Sequence, residues 1–292
     1  MRGYTDLPTI AVIDIGHPFA TRITRQLEGI VPCLVYYDNP ESYVPGGYSR
    51  EACEAISEAT GVIFANAKLA EEGILSEPDK KMDLRGKKVI PLGYSPIIEK
   101  ADSLNKRRKA EQSFLREKLL PSDFKDKKVI VYFGGNNEEY FGNGKDNEGA
   151  FPAFLRLLSE SAASSDLSHL AFVIQQHPGA KPKELENKLV ATWEEQNRQN
   201  PYAPKFFISG FGSDDAQVVA DGALYHQTSM NAQFALLEDV VTVQVAHKTF
   251  EDSLIRIGFP SVTTSAQLQS VIGDWDKLVA DQASKKRRFS HP

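Results

Sequence analysis

The sequence has little cysteine, no long apolar run and no excess of positive charge, and each shortage removes a class of protein. Two cysteines in 292 residues, Cys33 and Cys53, cannot supply a disulfide framework, so both thiols read as core or surface residues. No apolar run approaches the roughly 18 residues that a membrane span requires. A net charge of −5 offers no basic face to track a phosphate backbone, which argues against a nucleic-acid binder. The opening "MRGYTDLPT" has no apolar segment behind a basic one, so no secretory signal is expected, and a soluble cytoplasmic protein is. Several signatures of catalysis are missing too. The chain has no Gly-x-Ser-x-Gly elbow, no Gly-Lys-Ser/Thr loop and no spaced G-x-G-x-x-G, and its histidines and cysteines show no metal-ligand spacing. No metal and no cofactor are expected.

What is present is an ordinary globular composition, 41% hydrophobic and 25% charged, in a chain long enough for two cores. The β-branched run at residues 10–15 stops at Gly16-His17-Pro18. Proline cannot continue a central strand but suits the first turn of a helix. Phe19, Ile23 and Leu27 then mark one helical face, and "PCLVYY" supplies the next strand, giving a βαβ opening. A loop rich in Pro and Gly, the helix "REACEAISEA" and the strands "GVIFAN" and "KKVIPLG" complete a small lobe over residues 1–98. Residues 99–126 turn to Lys, Arg and Glu, with Leu104, Leu115 and Leu119 on one helical face, and read as a connecting helix. Over residues 127–292 strands and helices alternate regularly, from "KKVIVYF" to the closing helix "AQLQSVIGDWDKLVADQ". Strands that are nearly continuous apolar runs predict a parallel sheet covered on both faces, a doubly wound α/β domain. The basic run Lys285-Lys286-Arg287-Arg288 reads as a solvated tail, with an address signal or an acidic partner as the alternatives.

In an open parallel sheet ligands bind beyond the carboxyl ends of the strands, where loops meet helix N-termini with unpaired N–H groups. Four polar clusters stand at such places. The first is "YFGGNNEEYFGNGKDNEGAF", where Gly134-Gly135, followed by Asn136, lets backbone amides approach a phosphate; a loop of turn glycines is the competing reading. The second is Gln175-Gln176-His177-Pro178-Gly179, whose imidazole either donates to a phosphate or hydroxyl or is satisfied by its own backbone. The third is "ALYHQTSMNAQFALLE". One of Thr228, Ser229 and Asn231 is expected to be the N-cap of the following helix, and His226, Ser229, Asn231 and Gln233 together exceed what a cap needs. An anion or sugar held at the helix start accounts for the surplus. The fourth is His17, a candidate general base, with Asp14 two strand positions before Gly16 placed to orient it.

With these residues in hand, residues 125–265 resemble the carboxyl-terminal half of GT-B-fold glycosyltransferases and of UDP-N-acetylglucosamine 2-epimerase. The likeness lies in the order and spacing of "VIVYFGG", "FVIQQHPG" and "DGALYHQTSMNAQFALLE" followed by "VVTVQV". It implies two Rossmann-like lobes, the amino-terminal one small or incomplete, with the loop after the first strand and the late helix start binding a nucleotide diphosphate. It also implies a Gly-His turn, here Gly16-His17-Pro18, carrying the acceptor-activating base. The epimerase pattern Ser-Gly-Gly-x-Gln-Glu-Glu stands here as Ser229-Met230-Asn231-Ala232-Gln233-Phe234-Ala235, without its glycines and glutamates, which speaks against epimerase chemistry. The expected activity is metal-independent transfer from a nucleotide-diphosphate sugar to a glycan or small-molecule acceptor. A non-catalytic glycan-, nucleotide- or protein-binding module on the same fold is the rival, and a Rossmann oxidoreductase a third reading that the absent glycine fingerprint weakens.

Overall fold

The computed structural model describes residues 10–14, 19–37, 50–64, 87–91, 95–135, 137–143, 148–178, 180–228, 230–256 and 258–290. These fall into two compact units, one within the first 96 residues and one spanning Ile97–Phe289.

The smaller unit is a four-stranded parallel sheet in the order β1-β2-β3-β4: Ala11–Asp14, Cys33–Tyr37, Gly61–Phe64 and Lys88–Pro91. Ala11 is in register with Cys33, Leu34 with Gly61, and Gly61 with Lys88. A strand order that runs with the sequence, joined by right-handed crossovers, places successive helices on one face. Helices α1 (Ala20–Leu27) and α2 (Arg50–Glu58) accordingly pack against each other. Cys33, Val35, Ile56 and Val62 are in the core. Burial pushes the Cys33 thiol pKa up, so it is an inert apolar group rather than a reactive one. The helical face differs from the expected one: Ala20 and Thr24 are buried and Phe19 is largely exposed. Thr24 fits because its hydroxyl donates to the Ala20 carbonyl at 2.8 Å.

The larger unit is a six-stranded sheet in the order β10-β9-β8-β5-β6-β7, with every pair parallel. Its strands are Lys128–Phe133 (β5), Leu170–Gln175 (β6), Lys205–Ile208 (β7), Gly222–Tyr225 (β8), Val241–Val245 (β9) and Ser261–Val262 (β10). Renumbered within the unit this is 6-5-4-1-2-3, the doubly wound order whose direction reverses beside its first strand. The reversal therefore falls between β5 and β8. β6, β8 and β9 are buried almost throughout, as strands covered on both faces must be. Tyr132 of β5 stacks on Phe154 with centroids 4.5 Å apart. Phe154 lies on the helix Ala150–Ala162 (α5), and the short helix Glu138–Phe141 (α4) precedes it.

The segment expected to connect the lobes is the helix Ser95–Leu119 (α3), and from Ile97 it clusters with the larger unit. Arg108, on its buried face, donates to the Gln217, Val218 and Ala220 carbonyls at 2.6–3.0 Å. Arg116 donates to the Val219 carbonyl and pairs with Asp221 at 2.7 Å. These carbonyls close the helix Ser213–Val219 (α7), so two guanidinium groups do what a C-cap does elsewhere. The closing helix also departs from the sequence reading. It is two helices, Ser265–Gly273 and Trp275–Ser290 (α10 and α11, following the one-turn helix Ser253–Arg256, α9), the first opened by a capping box of Thr264 and Gln267. The basic run is part of α11 rather than a solvated tail. Lys286 donates to the Leu237 and Val240 carbonyls, and Lys285 to the Gly258 carbonyl.

Candidate functional site

The carboxyl ends of β6, β5 and β8 lie side by side, and Gly134, Gly135, His177 and His226 follow them directly. The predicted residues of three separate loops thus share one rim, at the point where the strand order reverses. Gly134 donates to the Gln175 carbonyl at 2.9 Å, and its amide neighbour across the rim is that of His177.

Both glycines are demanded by packing. A Cβ on Gly134 would stand 2.5 Å from Glu186 Oε1 and 3.0 Å from the His177 nitrogen. One on Gly135 would stand 2.9 Å from the Tyr140 ring. Tyr140 sits on α4, whose N-cap Asn137 accepts the Tyr140 amide at 3.0 Å. Glu186 sits on the helix Ala180–Gln196 (α6), on the same stripe as the buried Val190 and Trp193. The phenol of Tyr140 donates to Glu186 Oε1 at 2.7 Å, while its ring packs against Gly135. Glu186 Oε2 has no partner among the described residues. Burial raises the Glu186 pKa to about 7, against the opposing pull of the Tyr140 hydrogen bond.

His226, expected to face a ligand, is 1% exposed. Its ring lies 5.4 Å from Tyr140 and 5.2 Å, edge to face, from Phe250. Neither ring nitrogen has a partner among the described residues. Burial, helped by His247, lowers its pKa to about 4, so the imidazole is neutral at neutral pH. Beside it, Glu139 of α4 pairs with Lys248 at 3.2 Å and meets His247 Nε2 at 3.4 Å. The loop bearing His247 and Lys248 is fixed by Gln244, which exchanges two 2.8 Å hydrogen bonds with the Phe250 backbone. Asp252 completes the clamp, accepting from Tyr225 at 2.9 Å and from Gln244 at 3.1 Å.

The cap of the late helix is a correction. The helix is short, Asn231–Leu236 (α8), and its N-cap is Met230, with no side-chain cap. Thr228 instead accepts the Met230 amide at 3.2 Å, closing the turn one residue earlier. Asn231 is buried, and Gln233 accepts from Gln217 of α7 at 3.5 Å. Asp14 ends β1 in the smaller unit. His17, Asn136 and Ser229 lie outside the described residues. Sequence reasoning missed Tyr140, Glu186, Glu139, His247 and Lys248. A signal existed for Glu186: with Val190 and Trp193 it falls on the core-facing spacing of its helix.

Among the described residues, no three His, Cys, Asp or Glu side chains stand where they could share a metal ion, and no helix is long and apolar enough to cross a membrane. A groove of about 640 Å³ lies elsewhere, lined by Gln112, Arg116, Leu120 and Phe124 near the amino ends of the strands. It lies at the opposite ends of the strands from the rim.

No protein-family model matches the chain, and no curated protein matches it in sequence. Solved structures do. UDP-GlcNAc 2-epimerase from Methanocaldococcus jannaschii matches with a TM-score of 0.59 at 10% identity, over 90% of this chain and 69% of that one. The UDP-forming α,α-trehalose-phosphate synthase from Burkholderia xenovorans, solved with glucose-6-phosphate, matches at 0.56 and 13%, over 96% and 70%. The amino-terminal domain of Candida albicans trehalose-6-phosphate phosphatase matches at 0.53 and 11%, over 96% and 67%. This chain spans about two thirds of the length of each. With identities this low the agreement is one of architecture, and it establishes a GT-B-like fold: two Rossmann-like α/β units, the amino-terminal one the smaller.

Proposed function

We propose that this chain is a metal-independent glycosyltransferase that takes its sugar from a nucleotide-diphosphate donor. The observation that carries the reading is the switch point. The sheet reverses between β5 and β8, and the loops that flank the reversal bear Gly134-Gly135 and residues 226–231. Support also comes from structural neighbours whose ligands are of this class, among them the Methanocaldococcus jannaschii epimerase in complex with UDP-GlcNAc and UDP, a TM-score 0.56 match at 10% identity.

In this reading the diphosphate lies along the turn at Gly134, Gly135 and Asn136 and over Ser229, Asn231 and Gln233, with His177 lining the site. His226 acts from beneath, through Tyr140, rather than by contact. In the smaller unit His17, oriented by Asp14, accepts the acceptor hydroxyl's proton as that oxygen bonds the anomeric carbon, and the nucleoside diphosphate departs with the electron pair of the broken bond.

Isothermal titration with a panel of nucleoside diphosphates tests the donor. Heat with at least one is expected; none with any would overturn the reading. His17→Ala is expected to lower turnover by orders of magnitude while leaving ligand affinity intact. Unchanged turnover would remove His17 as the base.

A further inference from the structure

Glu186 is a fully buried carboxyl that the proposed transfer does not use, and it stands directly behind the turn assigned to the diphosphate. We propose that Glu186 is a positioning residue whose carboxyl, acting through Tyr140 on Gly134-Gly135, takes up a proton when an anion settles on that turn. The inference rests on the reading of the site given above.

Three features carry it. Glu186 Oε1 comes so close to Gly134 that no side chain fits between carboxylate and turn. Tyr140 links the carboxyl to the turn a second time, its ring packed against Gly135 and its phenol donating to Glu186. The outer oxygen, Oε2, is buried and has no hydrogen-bond partner among the described residues, so only the weaker pulls of Gln176 and Lys183 favour a negative charge there. An anion arriving on the turn adds negative charge next to that carboxyl in a medium of low dielectric, where like charges cannot both persist. The carboxyl then takes up a proton, and Tyr140 donates to a neutral acceptor instead of a charged one.

The groups facing Glu186 offer little to offset this. Tyr140 on α4 and Tyr132 on β5 are buried phenols that remain un-ionised, with pKa values pushed far up by burial. His177, at the end of β6, presents its backbone to Gly134. Lys183, on Glu186's own helix, is a cation whose pull is the last of the named influences on the carboxyl, after burial, Tyr140 and Gln176.

The test is uridine diphosphate titrated calorimetrically into the full chain and into E186Q, at pH 6 and pH 8, in two buffers of different ionisation enthalpy. The ligand's own phosphate is the same in both experiments, so the difference between the proteins isolates Glu186. Wild type is expected to take up close to one proton more than E186Q at pH 8 and almost none more at pH 6. Its affinity should fall about tenfold more than that of E186Q between the two. Tyr140→Phe removes a donor that favours the ionised carboxyl, so the pH at which affinity begins to fall should move upward. This variant decides the matter alone if E186Q does not fold. Equal proton uptake in wild type and E186Q, or an unmoved midpoint in Y140F, overturns the proposal while leaving the site intact. Absence of binding in wild type as well overturns the site and the proposal with it.

Discussion

At the amino-terminal edge of the six-stranded sheet, Arg108 and Arg116 meet four carbonyls and Asp221, while Asp221 also accepts the Val129 amide at 2.8 Å. At the carboxyl edge of the same strands, Glu186 Oε2, both nitrogens of His226 and Nδ1 of His247 are buried without a described partner. One edge spends its charges on closing helices. The other leaves titratable groups unsettled, without described partners, whereas the unpartnered buried Thr242 Oγ1 at the start of β9 is a neutral hydroxyl. An unpartnered titratable group is the costlier one in a low-dielectric interior and is tolerated chiefly where a site needs it. The difference teaches where to look for chemistry in this unit: the groove near Arg116 is at the settled edge, and the rim at Gly134 is at the unsettled one.

The comparison breaks most visibly at Arg108. Arg108→Met keeps the apolar stem but strands the Gln217 and Val218 carbonyls and leaves that of Ala220 only the longer bond from Gln112, and the loss is expected to be about 3 kcal/mol, read as a lower urea midpoint. Burial lowers the Arg108 pKa to about 10, so the guanidinium stays charged throughout the accessible range. A change under about 1 kcal/mol would mean that the amino edge is not held this way.

How much of this was legible depends on what fixes each part. β5 and β6 follow from their apolar runs, because central parallel strands exclude water on both faces and tolerate little else. The rim itself was legible, since Gly134, His177 and His226 each end such a run. Their roles were not. His226 lies where a ligand contact was expected, but Tyr140 and Phe250, distant in sequence, close over it. Tyr140 belongs to a one-turn helix inside a glycine-rich stretch, which carries too few residues for a periodic signal. Lys286 shows the reverse error: a run of like charge reads as solvated, yet a long side chain can bury its stem and bond carbonyls with its tip.

The unsettled edge can be sharpened by pH, because its two buried groups pull in opposite directions. Glu186 titrates from an ordinary value of 4.5 to about 7 in the folded chain, so the folded state binds more protons than the unfolded one, and stability drops as pH rises through that window. His226 goes from 6.5 to about 4, so the folded state binds fewer, and stability drops as pH falls through its window. Each slope amounts to about 3 kcal/mol at most, and between 4.5 and 6.5 they offset. E186Q should therefore gain stability relative to wild type as pH rises from 4.5 to 7. H226F should gain it as pH falls from 6.5 to 4. Thermal melts across that range check both, and slopes of the same sign would show that the two groups do not titrate as described.

A smaller effect separates two neighbours on α11. Lys286 is mostly buried, burial lowers its pKa to about 8, and its ammonium bonds the Leu237 and Val240 carbonyls that close α8. Lys286→Met keeps the stem and leaves those carbonyls without their donor, for an expected loss of about 1–2 kcal/mol near neutral pH. Because the folded pKa is depressed, the ammonium is easier to neutralise in the folded chain, and the penalty of the substitution should shrink above pH 8. Lys285 bonds the Gly258 carbonyl and Asp281 at 2.6 Å, but in solvent reach, where water replaces what is lost. Lys285→Met should cost less than about 0.5 kcal/mol. Equal losses at the two positions would mean that the end of α8 is not held by Lys286, and that the rim's late helix is fixed from its other side.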